Sequence, residues 1–360
     1  MNLPRRKTKK IKVGNLYIGG NSPISIQSMT NTNTSDITKT VKQIRKLIQA
    51  GCEIVRVAVP NLKSAKSLGK IKSQINIPLV ADIHFSHQLA LEAIKQGVDK
   101  LRLNPGNIGN EQKIKQVVLE ARKKNIPIRI GVNAGSLEKD ILKKHNNRAT
   151  AQAMADSALK HIKILEKLKF KNIIVSLKAS DIHRTVESYK LLSTKINYPF
   201  HIGITEAGTL FRGTIMSAVG LGHLLYEGLG DTLRVSLTAN PVEEIKVAKE
   251  ILYSLKLRPQ KVTVTSCPTC GRTEINLIKL AEKVEKELKN HQRPVHVAVM
   301  GCVVNGPGEA READWAIIGG KKIGLICQKG KIIKKVPEKK LLKEFLTIIK
   351  KNLKTYENNC

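Results

Sequence analysis

The feature that most constrains the fold is a regular alternation of short β-branched runs with stretches of helical periodicity. Eight strand–helix units in about 230 residues match the size and order of a closed parallel (β/α)8 barrel of the TIM type. A doubly wound open sheet is the alternative, but regular units without a dinucleotide fingerprint favour closure. The predicted strands are PISIQSM (23–29), EIVRVAV (53–59), PLVADI (78–83), KLRLN (100–104), PIRIGV (127–132), NIIVSLK (172–178), PFHIGIT (199–205) and DTLRVSL (231–237).

The rhythm changes after residue 258, and a small α+β domain is predicted to follow the barrel. We therefore expect a barrel domain at 1–258 and a second domain at 259–360. Its predicted elements are a strand (261–265), a helix (273–289), a strand (295–300), short strands (314–319 and 321–327) and a lysine-rich helix (338–354).

Local signals add detail within the barrel domain. Ser35 is predicted to cap the first barrel helix, and Gly51 to end it. The loop at 133–147 is long and polar, as expected of a lid or a binding loop.

A net charge of +34 raises a nucleic-acid hypothesis, but the lysines are scattered over almost every polar stretch and define no groove. Aromatic residues make up only 3% of the chain, too few for a base-stacking platform. No apolar run has the length of a signal peptide or a membrane span. We expect a soluble, cytoplasmic protein without a nucleic-acid or membrane partner. A zinc-stabilised nucleic-acid-binding protein remains an alternative.

Charged and polar side chains collect at the predicted carboxyl ends of the strands, where barrel enzymes have their active sites. Residues two apart in a strand share a side, and an unpaired guanidinium on the outer side would be costly. These side chains are therefore predicted to face the barrel mouth. Several arginines there indicate a substrate with more than one phosphate, although ion pairs that plug the barrel are the structural alternative. The set is Arg56, Asp82, His84, Arg102, Asn104, Arg129, Asn133, Ser176, Lys178, Glu206, Arg234 and Ser236.

Two acids in this set allow further interpretations. Asp82 and His84 form either a metal pair or, as we favour, a hydrogen-bonded acid and imidazole. Glu206 lies just beyond the seventh predicted strand and is expected to face the cations. There it either balances their charge or transfers protons.

Three cysteines stand in turn sequences, Cys267 and Cys270 in CPTC and Cys302 in GCVVNGPG. A zinc site would need a fourth ligand such as Cys327 or His296, and a redox dithiol would leave Cys302 unexplained. An iron–sulfur cluster held by three thiolates would leave one iron with a different ligand, for which Glu309 is the candidate. Spacing alone leaves Glu309 equally compatible with an ordinary surface acid. Cys52, Cys327 and Cys360 receive no role.

The motifs as a set resemble the 4-hydroxy-3-methylbut-2-en-1-yl diphosphate synthase family of the non-mevalonate isoprenoid pathway, in its bacterial two-domain form. The resemblance extends from residue 13 to about 310. The matching stretches are QSMTNT (27–32), IVRVAVP (54–60), PLVADIHF (78–85), LRLNPGNIGN (101–110), IPIRIGVNAGSLEKD (126–140), VSLKASD (175–181), GITEAG (203–208), GLGDTLRVSL (228–237), CPTCGR (267–272) and GCVVNGPGEA (301–310).

The resemblance implies a [4Fe–4S] cluster on Cys267, Cys270, Cys302 and Glu309. It implies a barrel that binds 2-C-methyl-D-erythritol 2,4-cyclodiphosphate, and an oxidoreductase that opens the ring with two electrons and loss of water. It also implies a homodimer in which the cluster domain of one subunit closes over the barrel of the other. An acidic reduced flavodoxin or ferredoxin would suit the basic surface as electron donor.

Roles follow on this hypothesis. Asn305 contacts the substrate from the cluster domain, Glu206 donates a proton to the departing water, and Glu309 is a displaceable ligand. Asp82 and His84 belong to the substrate site, and Asn104, Asn133 and Ser236 orient the substrate. The diphosphate is held by Arg56, Arg102, Arg129, Lys178 and Arg234. A phosphate-ligand barrel with a structural metal and no redox role is the remaining alternative.

Overall fold

The computed structural model describes residues 4–289, 291 and 294–355, so Cys360 lies outside the described residues. The chain divides after Arg258 into two compact units. The strands of the first unit are β1 Ile11–Val13, β2 Leu16–Ile18, β3 Ser25–Met29, β4 Ile54–Ala58, β5 Leu79–Asp82, β6 Lys100–Arg102, β7 Ile128–Asn133, β8 Ile173–Lys178, β9 His201–Ile202 and β10 Thr232–Leu233. Its helices are α1 Ile37–Ala50, α2 Leu62–Lys72, α3 His87–Lys95, α4 Glu111–Lys123, α5 Lys139–Lys144, α6 Ala151–Lys167, α7 Ile182–Ser193, α8 Leu210–Tyr226 and α9 Pro241–Ser254.

Strands β3 to β10 form an eight-stranded parallel sheet in which each strand neighbours the next in the chain, and β10 returns to β3. A parallel bridge from Val175 to Phe200 joins the β8 side to the segment that enters β9. The predicted (β/α)8 barrel is therefore confirmed. Its strands are shorter than the apolar sequence runs from which they were predicted.

Alternation along each strand separates two environments. On β7 the outward residues Ile128, Ile130 and Val132 belong to the apolar core that packs against the helices. The intervening positions Arg129 and Gly131 face the barrel interior. The helical layer therefore stays apolar, and the charged residues of the strands turn inward.

The amino end of the barrel is apolar. The β1–β2 hairpin, which the sequence patterns did not indicate, packs Ile11, Val13 and Ile18 against interior residues of the barrel. Those interior partners, Ile54 and Ile174 among them, stand near the starts of their strands. The hairpin therefore covers this end of the barrel with apolar side chains.

The second unit is a five-stranded sheet in the order β11-β12-β13-β14-β15, parallel across the first three strands and antiparallel across the last three. On β12, Val297 and Val299 share one apolar cluster with α10 and α12, and Ala298 and Met300 share another with α11. The elements are β11 Val262–Ser266, α10 Leu277–Leu288, β12 Val295–Met300, α11 Gly306–Glu312, β13 Trp315–Gly320, β14 Ile323–Gln328, β15 Lys331–Pro337 and α12 Glu338–Thr355.

Three local predictions need correction or refinement. Asp36, not Ser35, caps α1, because the Asp36 carboxylate accepts the Lys39 N–H at 3.0 Å while the Ser35 hydroxyl donates to Asn33. The loop at 133–147 is partly helical and contains α5. The turn sequence GCVVNGPG, predicted around Cys302, runs into α11, which begins at Gly306. The expected end of α1 at Gly51 is confirmed by its left-handed φ of 100°. Among the described residues no helix is long and apolar enough to cross a membrane.

Candidate functional site

Asp82, at the end of β5, organises the centre of the barrel mouth. Its Oδ1 lies 3.3 Å from Nη1 of Arg102, and its Oδ2 lies 3.7 Å from Nε of Arg56. The exposed His84 has its Nε2 3.6 Å from Asp82 Oδ1 and 3.1 Å from Arg102 Nη1. Burial alone would raise the pKa of Asp82, but Arg56, His84 and Arg102 outweigh it and hold that pKa far below its usual range. Asp82 is therefore an anion that fixes two arginines.

Arg129 lies in the same interior and is only 1% exposed. Its Nε and Nη1 have no hydrogen-bond partner among the described residues. Burial, followed by the charges of Arg56 and Arg102, lowers the pKa of Arg129. Burial also lowers the pKa of Lys178, with Arg129 and Arg234 adding to the effect. Buried donors without partners are the arrangement expected of a site that takes an anion.

Arg234, beyond β10, is tied to an acid that the sequence patterns did not reveal. Its Nη2 lies 3.4 Å from Oε1 of Glu244, a buried residue of α9. Glu244 also accepts the Ser28 hydroxyl at 3.1 Å and the Leu237 N–H at 3.1 Å. Among the described residues of the barrel interior and mouth, two acids, Asp82 and Glu244, are thus outnumbered by basic side chains. The basic residues are Arg56, Lys100, Arg102, Arg129, Lys178 and Arg234.

Asn104 is held by the neighbouring strand rather than left free. Its side-chain amide donates to the Gly131 carbonyl at 3.0 Å, and its oxygen accepts the Gly131 N–H at 2.8 Å. Arg102 donates to the same carbonyl at 3.1 Å. A Cβ at residue 131 would lie 2.7 Å from Arg102 Nε, so only glycine leaves room for this guanidinium. Asn104 and Arg102 therefore share the Gly131 carbonyl as an acceptor, and the backbone of β7 positions both side chains.

The remaining predicted mouth residues differ in burial. Asn133 ends β7 opposite Lys178 in register, and Ser236 is half-buried beyond β10. Ser176 lies buried on β8, where its hydroxyl donates to the Ile130 carbonyl at 3.4 Å.

Glu206 stands apart from the cations. It is exposed, on a turn with the left-handed φ of 54°, and it lines an open cavity of about 1400 Å³. That cavity is bordered by Arg148, Asp181 and Arg212, and none of the barrel cations named above lines it among the described residues.

Sequence reasoning missed two interior residues. Lys100 is fully buried, and its Nζ donates to Gln27 Oε1 at 3.2 Å. His201 is fully buried, and neither ring nitrogen has a partner among the described residues. Lys100 was detectable in principle, because it precedes Arg102 by two positions and so shares its side of β6.

The three candidate ligand cysteines, Cys267, Cys270 and Cys302, lie on loops after two neighbouring parallel strands of the second unit. Cys267 follows β11 directly, and Cys302 stands two residues beyond β12. The Gly301 N–H donates to Cys267 Sγ at 3.2 Å, which is the type of amide-to-sulfur bond found around iron–sulfur groups. Cys270 is exposed, and a hydrogen bond from the Arg272 backbone lowers its pKa. All three are free thiols.

Glu309 and Asn305 lie at the start of α11. The Asn305 carbonyl accepts the N–H groups of Gly308 and Glu309, and the Asn305 and Glu309 residues are both exposed. By the chemical type of their donor atoms, three thiols and a carboxylate can serve as the ligands of an iron–sulfur group. Within the described part of the chain, no three His, Cys, Asp or Glu side chains converge closely enough to hold a metal ion. Cys52 and Cys327 are buried, and burial raises the pKa of the Cys52 thiol to about 12.

The fold and these residues define a class, a two-domain protein with a (β/α)8 barrel rich in buried basic side chains and a thiol-bearing α+β unit. Comparison with known sequences makes this specific. The GcpE TIM-barrel domain matches residues 8–249, and the GcpE protein C-terminal domain matches residues 263–351. The chain belongs to the GcpE family, whose curated members carry the name 4-hydroxy-3-methylbut-2-en-1-yl diphosphate synthase (flavodoxin).

Similarity to individual members is high over nearly the whole chain. The synthase of Fusobacterium nucleatum is 57% identical over 348 residues, covering 97% of this chain and 98% of that protein. The synthase of Caldanaerobacter subterraneus is 57% identical over 350 residues, with 97% and 98% coverage. Among solved structures, dihydropteroate synthase of Stenotrophomonas maltophilia superposes with a TM-score of 0.51 at 12% identity, covering 70% of this chain and 100% of that one. The last match concerns the barrel fold alone.

Proposed function

We propose that the protein converts 2-C-methyl-D-erythritol 2,4-cyclodiphosphate to 4-hydroxy-3-methylbut-2-en-1-yl diphosphate by reductive ring opening and dehydroxylation, in the non-mevalonate isoprenoid pathway. The family membership and the names of its curated relatives support the reaction. The observation that carries the substrate class is the excess of buried cations in the barrel, above all Arg129 with its unpartnered donors. A cyclic diphosphate supplies the negative charge that these groups lack.

Each barrel residue then has a defined task. Arg129, Arg56 and Lys178 bind the diphosphate from the interior, and Arg102 and Arg234 complete the ring of donors. Asp82 holds Arg56 and Arg102 in place through its two oxygens. Because the interior is buried, water is excluded, and each charge–charge contact is stronger than it would be at the surface.

The redox group that we propose is a [4Fe–4S] cluster held by Cys267, Cys270, Cys302 and Glu309. When bound, it supplies the two electrons that the reductive opening consumes. A hydrogen bond from the Arg272 backbone N–H lowers the pKa of the Cys270 thiol, and so favours the thiolate that a metal ligand must be.

Other parts of the hypothesis stay predictions. They are the homodimer, a contact of Asn305 with the substrate, proton donation by Glu206 and a cytoplasmic location. Reduced flavodoxin is the proposed electron donor, since curated relatives carry its name. A net charge of +34 favours an acidic partner of this kind.

Anaerobic purification followed by iron, acid-labile sulfide and zinc assays tests the proposal, on the wild-type chain and on Glu309→Cys. About four irons and four sulfides per chain, with turnover of the cyclic diphosphate by reduced flavodoxin, are expected of the wild type. Glu309→Cys is expected to keep iron and sulfide but to lose turnover, since thiolate is a less displaceable ligand. Zinc without sulfide, in a protein that binds RNA with a steep salt dependence, would instead support the nucleic-acid alternative.

A further inference from the structure

His161 of α6 is a buried histidine that the proposed mechanism does not use. Only 1% of it is exposed. Its ring contacts two loops that leave the carboxyl end of the barrel, which we call the β6 loop (residues 104–110) and the β7 loop (residues 133–139). Asn104 opens the first loop and Asn133 opens the second, each before a short 3-10 turn. One side chain therefore joins the two loops that begin at proposed substrate-site residues.

The contact with the β6 loop is specific to one ring nitrogen. Nδ1 accepts the Gly106 N–H at 3.3 Å. A Cβ at residue 106 would lie 2.9 Å from the His161 ring, so the glycine allows this approach. Because an amide N–H can only donate, Nδ1 carries no proton in this arrangement.

The proton therefore sits on Nε2, which lies 2.6 Å from Oε1 of Glu138 in the β7 loop. Glu138 is itself oriented by the Ser157 hydroxyl, which donates to its Oε2 at 2.7 Å from one turn earlier on α6. Burial would raise the pKa of Glu138, but His161 and Ser157 outweigh it and lower that pKa to about 2. The carboxylate is thus an anion held from both sides.

We propose that His161 is a positioning residue that clasps the β6 and β7 loops together and so fixes Asn104 and Asn133 at the barrel mouth. The clasp rests only on the contacts above. Its effect on catalysis rests on the proposed function. On this proposal His161 touches no reacting atom and acts only through the two loops. Its effect on the rate arises because correctly placed binding groups lower the reaction barrier.

Two near-isosteric variants separate the halves of the clasp. In His161→Asn the side-chain oxygen can replace Nδ1 and keep the Gly106 contact, while the contact with Glu138 is lost. In His161→Gln the longer amide can still donate to Glu138, while the acceptor for Gly106 is lost. Lys160→Gln is the matched control, because Lys160 is the adjacent residue of α6 and makes an exposed ion pair of 2.6 Å with Asp140.

Hydrogen–deuterium exchange on the full chain without substrate tests the clasp directly. Faster exchange is expected in the β7 loop alone for His161→Asn and in the β6 loop alone for His161→Gln, by about tenfold for loss of one hydrogen bond. Lys160→Gln is expected to leave the β6 loop unchanged. If both loops exchange at the wild-type rate in both variants, the clasp is overturned, whatever the activity of the enzyme.

Steady-state kinetics tests the consequence. Each variant is expected to raise KM for the cyclic diphosphate about tenfold at unchanged iron content, and Lys160→Gln to leave KM unchanged. Faster loop exchange with wild-type kcat and KM would overturn the positioning role. If the wild type itself neither binds nor reduces the cyclic diphosphate, the proposed function fails, and the exchange experiment still decides the clasp.

Discussion

The barrel mouth and the cysteine loops hold their chemical groups in opposite ways. In the barrel, charged side chains stand on strands or directly after them, and neighbouring groups fix them, as the Asp82 carboxylate and the Gly131 carbonyl fix Arg102. In the second unit the candidate ligand thiols stand on loops beyond the strands, and the Gly301 N–H donates a hydrogen bond to the Cys267 sulfur. Cys270 is exposed, whereas Arg129 is almost completely buried.

The difference shows where each site obtains its geometry. Like charges in the barrel repel one another, and the surrounding strands and core bear that cost before any anion binds. The barrel site is therefore preorganised at the expense of stability. Thiols on loops carry no such strain, and their final geometry depends on the group they bind, which adds its own binding free energy to that unit.

The largest effect is expected from removing a thiol. Cys302→Ser should lower the iron and sulfide content and reduce turnover at least about a hundredfold, because serine is a poor ligand for iron. Binding of the cyclic diphosphate, measured by calorimetry, should stay within about twofold of wild type if the barrel is preorganised. Equal loss of binding would contradict the proposed separation of the two sites. Cys327→Ala, a buried thiol of the same unit, is the control and should keep its iron.

The next effect concerns the barrel alone. Arg129→Met should weaken binding of the cyclic diphosphate about thirtyfold, the value of a charged hydrogen bond, with iron content unchanged. The same variant should raise the thermal midpoint, because it replaces a buried unpaired cation with an apolar side chain. A fall in both binding and midpoint would mean that Arg129 is a structural ion pair. Arg45→Met, on the exposed side of α1, should change neither.

Sequence patterns predicted the barrel and most of its inward residues for a physical reason. Alternation with period two assigns a side to Arg102, Asn104 and Arg234 once their strands are recognised. The same alternation includes Lys100, which was overlooked. Glu244 could not be predicted in this way, because it reaches the mouth from a helix and its partner, Arg234, is adjacent only in space.

The remaining gaps have the same origin. The β1–β2 hairpin has strands of three residues, too short for a periodic pattern, and its burial against Ile54 and Ile174 is a tertiary contact. His161 looks like any buried position of an amphipathic helix. The cysteines were identifiable by their turn sequences, but the fourth ligand remained open, because Glu309 is an exposed residue of a short helix.

A moderate effect should appear in the pH dependence of stability. Burial, followed by Arg129 and Arg56, holds the pKa of Lys100 well below its usual range, whereas an unfolded lysine titrates near 10.4. Between the two pKa values the unfolded chain binds more protons, so stability should rise with pH, by at most about 1.4 kcal/mol per pH unit from this residue. Lys100→Met should flatten that rise in calorimetric midpoints measured from pH 7.5 to 9.5.

The exposed Lys115→Met variant should follow the wild-type pH profile. A Lys100→Met profile that is parallel to wild type would show that Lys100 keeps its proton in the folded barrel. In that case Lys100 would carry a buried positive charge beside Arg129 and Arg56.

The smallest effect tests whether the barrel is rigid away from its charges. Asp36→Ala should cost about 1 kcal/mol, because the Lys39 N–H at the start of α1 loses its acceptor. Ser35→Ala should cost far less, since the Ser35 hydroxyl bonds only to exposed Asn33. Urea unfolding gives both values. Because α1 packs on the outside of the barrel, Asp36→Ala should leave binding of the cyclic diphosphate unchanged. A weakened affinity would mean that the geometry of the barrel mouth depends on the helical layer as well as on the strands.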